Sequence, residues 1–168
     1  GSSELQTYVS GDGSAADTDG SNGDGLDEVH TEMVELDLEG SAENGPVSIE
    51  LNDSFRSGGV LEETENTQDG RLDVPPFSEL GSGVSSFEVF FNVELPDGSV
   101  VHNEAPVVMQ GQVSGVEPGR GERLRSLESV PLLTSEGTDS GYELGPMSFV
   151  PEPERVETAV SDDLLEVV

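Results

Sequence analysis

The sequence predicts an all-β fold, an antiparallel β-sandwich of about seven to nine strands, immunoglobulin-like or jelly-roll-like. Three observations lead there. Apolar and polar residues alternate through several runs, which in an extended chain sends one set of side chains to a core and the other to water. Clusters of Gly, Pro, Asn and Asp separate those runs at the spacing of short antiparallel strands. Finally, Phe87, Val89, Phe91, Val93 and Leu95 fall at every second position ahead of Pro96-Asp97-Gly98. That is a core strand entering a hairpin turn, with Pro96 presetting the first turn position and Gly98 supplying a positive φ. Three of the six phenylalanines lie in this strand, Phe87, Phe90 and Phe91, so it is the floor on which the others pack.

Taken in order, Leu5-Gln6-Thr7-Tyr8-Val9 is a short β-prone segment. Ser10 to Gly25 is built from Gly, Ser, Asp, Asn and Ala with almost nothing apolar, the composition of a flexible linker. The expected organisation is a strand over 1–9, a linker over 10–28 and a sandwich over 29–168. A tethered strand either folds back onto its own sheet or completes a neighbour's sheet by strand addition through Leu5, Thr7, Tyr8 and Val9. Inside the linker, Asp17-Thr18-Asp19-Gly20-Ser21-Asn22-Gly23-Asp24-Gly25-Leu26-Asp27-Glu28 resembles the Asp-x-Asp-Gly-Asp-Gly-x-x-Asp repeats of secreted calcium-binding proteins, with Ser21-Asn22-Gly23 interrupting the spacing, and, more loosely, an EF-hand loop. Hard divalent cations want several oxygen ligands from a loop that can wrap. Asp17, Asp19, Asp24, Asp27 and Glu28 are therefore the candidate metal ligands, with calcium as the cofactor; a solvated acidic linker explains the same residues without an ion.

Val29 to Leu38 reads as the first long strand, with Val34, Leu36 and Leu38 alternating against Glu35 and Asp37. Asn44-Gly45-Pro46 turns the chain, and Val47, Ile49 and Leu51 alternate again, so the two runs pair as an antiparallel hairpin. Phe55 to Gly83 reads as a long connection, with Gly58-Gly59, a polar run from Glu62 to Gly70, and Val74-Pro75-Pro76-Phe77; connections of that length in a compact domain tend to be functional or to cross between sheets. After the central hairpin, Val107, Met109, Gly111 and Val113 continue one face, and Gly111 marks a bulge or a close backbone approach. Ser129 to Leu133, Tyr142 to Leu144 and Phe149-Val150 are further short strands, and the apolar end at Val167-Val168 suits a docked terminal strand or a chain that continues.

Composition speaks to the setting. Thirty-six Asp and Glu stand against six Arg and no Lys, a formal net charge of −30 spread along the whole chain. Salt at 1 M shortens the Debye length to about 3 Å, which screens such repulsion while carboxylates keep the surface hydrated. The balance therefore points to a halophile, an archaeon or one of its viruses. Acidic disorder would also suit a 32% hydrophobic fraction, but a disordered chain has no need of alternating apolar runs. A surface of this sign excludes nucleic acid as a partner and disfavours an anionic membrane. No apolar run reaches the length of a membrane-spanning helix, so no direct membrane insertion is expected. With no cysteine there is no disulfide, thiolate nucleophile or thiolate zinc site. If Gly1-Ser2-Ser3 is natural, a removed export signal explains the missing methionine.

Catalytic patterns are absent. The only neutral-pH bases are His30 and His102, far apart in the chain. No phosphate loop, dinucleotide fingerprint, Gly-x-Ser-x-Gly or His-Glu-x-x-His occurs, and the expectation is that the protein is not an enzyme. Arg120, Arg123 and Arg125 gather three of the six arginines in one short run. In this setting they pair with surrounding carboxylates or meet an acidic patch on a neighbouring molecule.

Ser86-Phe87-Glu88-Val89-Phe90-Phe91-Asn92-Val93, with Val101-His102-Asn103-Glu104-Ala105-Pro106-Val107 after it, resembles a poorly characterised module of secreted microbial proteins. That module has a Ser-Phe-Phe-Asp-Val-Phe-Phe-like strand, a turn and a Leu-His-Asn-x-x-Pro element; here Val101 replaces the leucine and Glu88 stands near the aspartate. Thr31 to Gly40 and Gly45 to Ile49 are similar to its upstream strands. The resemblance implies an extracellular all-β domain and carries no catalytic residues. The function expected on these grounds is a structural subunit of an extracellular or cell-surface assembly, a filament, matrix or adhesion protein of a halophilic archaeon. It would be a homo-oligomer or polymer joined by strand donation. A virion capsid or spike subunit and a monomeric calcium-dependent binding module are the alternatives.

Overall fold

A computed structural model describes residues 2–18, 23–116, 121–150, 158–160 and 165–167. Every regular element among them is a β-strand: β1 (Ser2–Val9), β2 (Glu28–Ala42), β3 (Gly45–Leu51), β4 (Ser57–Glu63), β5 (Gly83–Val89), β6 (Phe91–Glu94), β7 (Val100–His102), β8 (Val107–Val113), β9 (Leu124–Arg125), β10 (Val130–Thr134), β11 (Asp139–Leu144), β12 (Ser148–Phe149), β13 (Thr158–Val160) and β14 (Leu165–Val167). All pairings are antiparallel, as the alternation predicts.

The strands form one continuous sheet with a crease. β3 and β4 lie end to end along β2, with Leu38 opposite Ile49 and Val29 opposite Leu61. β5 and β6 are one strand interrupted at Phe90, and β7 with β8, β9 with β10 and β11 with β12 repeat the arrangement. Because β3 pairs β6 while β4 pairs β5, and so on across the sheet, the interruptions stand in a row. One half holds β3, β6, β7, β10 and β11; the other holds β4, β5, β8, β9 and β12, and β2 spans both. The all-β antiparallel class is the one the sequence predicts, and the hydrogen bonding carries a single sheet through the crease.

Strands that bend free backbone groups, which must find partners when buried. Buried polar side chains supply them. Asn103 is fully buried: its Oδ1 accepts from the Phe91 N–H at 2.6 Å and its Nδ2 donates to the Val89 and Ala105 carbonyls at 3.0 and 2.8 Å. The Ser57 hydroxyl accepts from the Phe90 N–H at 3.1 Å, and the Ser126 hydroxyl from the Met147 N–H at 3.1 Å.

Inward residues of both halves are sealed from water. Phe87, Val89, Phe91 and Met109 are at most 1% exposed. With one sheet and no helix among the described residues, only the rest of that sheet and its connections can cover this face, so the sheet must curl over its own core. The larger cluster runs from Ile49, Phe91, Val93 and Val101 through the crease to Met33, Phe87, Met109 and Leu124. A second cluster closes the far end of the β5 half, where Val9, Val29, Leu61 and Val113 meet Leu72, Val74 and Val116 from connections.

Of the two courses open to the N-terminal strand, the chain takes the first and folds back onto its own sheet: β1 residues from Ser2 to Tyr8 pair with β2, Thr7 opposite Thr31 and Tyr8 opposite His30, while β14 pairs its other edge. The first part of the segment expected as a linker, through Ala16, is bound across the end of the sheet. The Gly13 carbonyl accepts from the Leu72 N–H at 2.9 Å, the Ala15 N–H donates to the Gly70 carbonyl at 3.1 Å, and Ala16 bridges Glu28. The first part of the long connection from Phe55 is strand β4. Its inward positions are Ser57, Gly59, Leu61 and Glu63, so three of four lack the apolar side chain that reveals a strand. At Gly59 a Cβ would run into the Ser86 carbonyl, which explains the glycine.

Candidate functional site

Four of the five candidate metal ligands lie among the described residues, each with a backbone N–H or a cross-strand neighbour of its own. The Asp17 carboxylate accepts from the Gly25 N–H at 2.8 Å and Asp24 from the Leu26 N–H at 2.9 Å, both within their own loop. Asp27 is buried and accepts from the Gly70 N–H at 2.7 Å, whereas Glu28 is buried in β2 opposite Glu62. Asp19 lies outside the described residues. Among the described residues no group of three His, Asp or Glu is arranged to hold a metal.

Asp27 belongs to a different cluster, which the sequence did not signal. Glu63 is 1% exposed; its Oε1 accepts from the Asp27 N–H at 2.9 Å and its Oε2 from the Asp73 N–H at 2.7 Å. Burial pushes the Glu63 carboxyl above its ordinary 4.5. The two N–H bonds offset part of that, and the nearby Asp27 and Asp73 charges add to the rise. For Asp73 burial also works upward, but bonds from the Thr67 and Gln68 N–H groups and the Thr67 hydroxyl, with the Arg71 charge, hold it below 3.8. These carboxylates fasten the 64–73 connection to the sheet, a structural use of acid.

The histidines sit apart. His30 is exposed on the outward face of β2 in the β4 half. His102 is opposite Asn92 in the other half, with its Nε2 3.6 Å from Glu104 Oε1.

The arginine run does form a surface. Gln110 of β8 stands opposite Arg125 of β9, and Arg125 opposite Ser148 of β12. An open groove of about 470 Å³ lies over these strands, lined by Val84, Gln110, Gly111, Gln112, Arg123, Arg125 and Leu127. Arg123 donates to the Ser148 hydroxyl at 3.0 Å. Among the described residues neither Arg123 nor Arg125 has a carboxylate within ion-pair distance, whereas Arg56 meets Glu32 at 2.7 Å. The expected pairing with surrounding acids is therefore absent at these two, and Arg120 lies outside the described residues. Gly111 forms the floor: a Cβ there would run into the Arg123 carbonyl and the Leu124 side chain, which is the close approach its sequence position suggested.

No protein-family model matches the chain, and no curated protein matches it. Among solved structures, DynF from the dynemicin biosynthesis pathway of Micromonospora chersina has a similar fold. The TM-score is 0.52 at 15% identity, over 99% of this chain and 78% of DynF. This likeness corrects the expected function. The fold spans nearly the whole chain and is shared with a protein of a biosynthetic pathway, and the strand expected to link subunits is paired inside its own sheet on both edges. A structural assembly subunit, cellular or viral, loses its supporting feature.

Proposed function

We propose that the chain is a non-catalytic binding module that captures an anion in the groove over β5, β8 and β9. The observation that carries this reading is the pair Arg123 and Arg125, which among the described residues have no carboxylate within ion-pair distance although the chain is rich in acid. Guanidinium groups present forked donors matched to carboxylate and phosphate oxygens. A net charge of −30 repels anions at long range, but in the brine that the composition suggests this field fades within about 3 Å at 1 M salt, and local contact decides. Placement outside the cell belongs to the same proposal, on the strength of composition and of the secreted module the sequence resembles. The fold shared with a biosynthetic-pathway protein leans the ligand toward a small organic molecule. The separated histidines support binding in preference to a reaction.

The test is an NMR titration with acetate, in the lowest salt at which circular dichroism reports the folded sheet. The Nε–Hε resonances of Arg123 and Arg125 should shift saturably, and the double variant Arg123→Gln, Arg125→Gln should abolish binding. Shifts that never saturate, or binding unchanged in the double variant, would remove the proposal.

A further inference from the structure

The groove has a second character besides its charge. Leu127, just past the end of β9, is 83% exposed, and Val84 of β5 lines the same groove. Leaving a leucine almost wholly in water forfeits the burial that its side chain would otherwise gain. Between the arginines and these apolar groups lie the bare floor at Gly111 and the neutral amides of Gln110 and Gln112. Among the described residues no carboxylate lines this groove, although the chain carries 36 acidic residues in all. Its volume of about 470 Å³ is that of a small-molecule site.

We infer that the ligand is an amphipathic organic carboxylate, its head held by Arg123 and Arg125 and its apolar body laid over Gly111 against Val84 and Leu127. The inference rests on the anion-binding reading and goes beyond it in naming the ligand class. A headgroup alone, such as acetate or inorganic phosphate, engages the arginines and leaves Leu127 in water. A chain of several methylenes covers it, and each buried methylene is worth about 0.8 kcal/mol at full burial.

Decanoate and acetate, titrated separately into the full chain below the decanoate micelle concentration, separate the two levels of the claim. Decanoate should bind at least about tenfold more tightly than acetate, a small part of what its methylenes could contribute. Leu127→Ser, a change at an exposed position that leaves the core alone, should weaken decanoate by about threefold or more and leave acetate unchanged. Arg123→Gln with Arg125→Gln should weaken both. Equal affinity for the two acids, or decanoate binding indifferent to Leu127→Ser, overturns this inference while leaving anion capture standing. Failure of acetate and decanoate alike removes both.

Discussion

The two apolar clusters are sealed equally well but assembled differently. The one around Phe87 and Phe91 takes all its buried side chains but Leu95 from strands, most of them at positions two apart. In the one closing the end of the β5 half, Leu72, Val74 and Val116 are three of seven buried residues and come from connections. Those connections are fastened by polar groups, the buried Glu63 and Asp27 carboxylates and the Gly13 carbonyl. A strand-built core is rigid because each ladder bond supports the next. A loop-built one depends on a few specific anchors, which makes it the part that should open first.

That difference can be broken at its strongest point. Phe91→Ala, at a fully buried position beside the crease, should cost about 3–5 kcal/mol in denaturant unfolding and shift the global midpoint. Leu72→Ala should cost about 2–4 kcal/mol, but amide exchange should speed first in the 64–82 and 10–18 segments while β6 and β7 keep their protection. If all amides accelerate together, the clusters are one cooperative unit. Asn103→Ala leaves the Phe91 N–H and Val89 carbonyl without partners at the crease and should cost about 1–3 kcal/mol, read by the same unfolding titration.

The smallest effect concerns pH. The Glu63 carboxyl titrates higher in the fold than in the unfolded chain. Its contribution to stability is therefore greatest below its ordinary 4.5, declines as pH rises through the raised value, and stays at the lower level above it. Asp97 is the opposite case: bonds from Ser99 hold it below 3.8, so its contribution is present above that value and is lost as pH falls through the lowered one. Unfolding midpoints for the parent chain and Glu63→Gln, measured from about pH 3 to pH 7, should differ in slope just above 4.5. Identical slopes would show that Glu63 does not sense its burial.

What was legible follows the same line. Phe87 to Leu95, Val34 to Leu38 and Val47 to Leu51 announce their strands because one face of each is apolar at period two. β4 was hidden because Ser57, Gly59 and Glu63 occupy its inward positions for reasons lying on other elements: a hydroxyl for Phe90, room for Ser86, an anchor for Asp73. Asn103 reads as an ordinary loop residue after a hairpin, and its role depends on Val89 and Phe91, whose nearness no local pattern encodes. Arg123 and Arg125 were visible as a basic run. Their lack of acidic partners among the described residues, the feature that matters, appears only once β8 and β9 are side by side.

Backbone amide shifts in the folded chain, followed through a decanoate titration, test the binding account most directly. Saturable changes confined to Val84, Gln110 to Gln112 and Arg123 to Leu127 are expected. Changes centred instead on the interior at Phe87 and Met109, or on the separate groove formed by Thr64, Asp73 and Ser82, would contradict it.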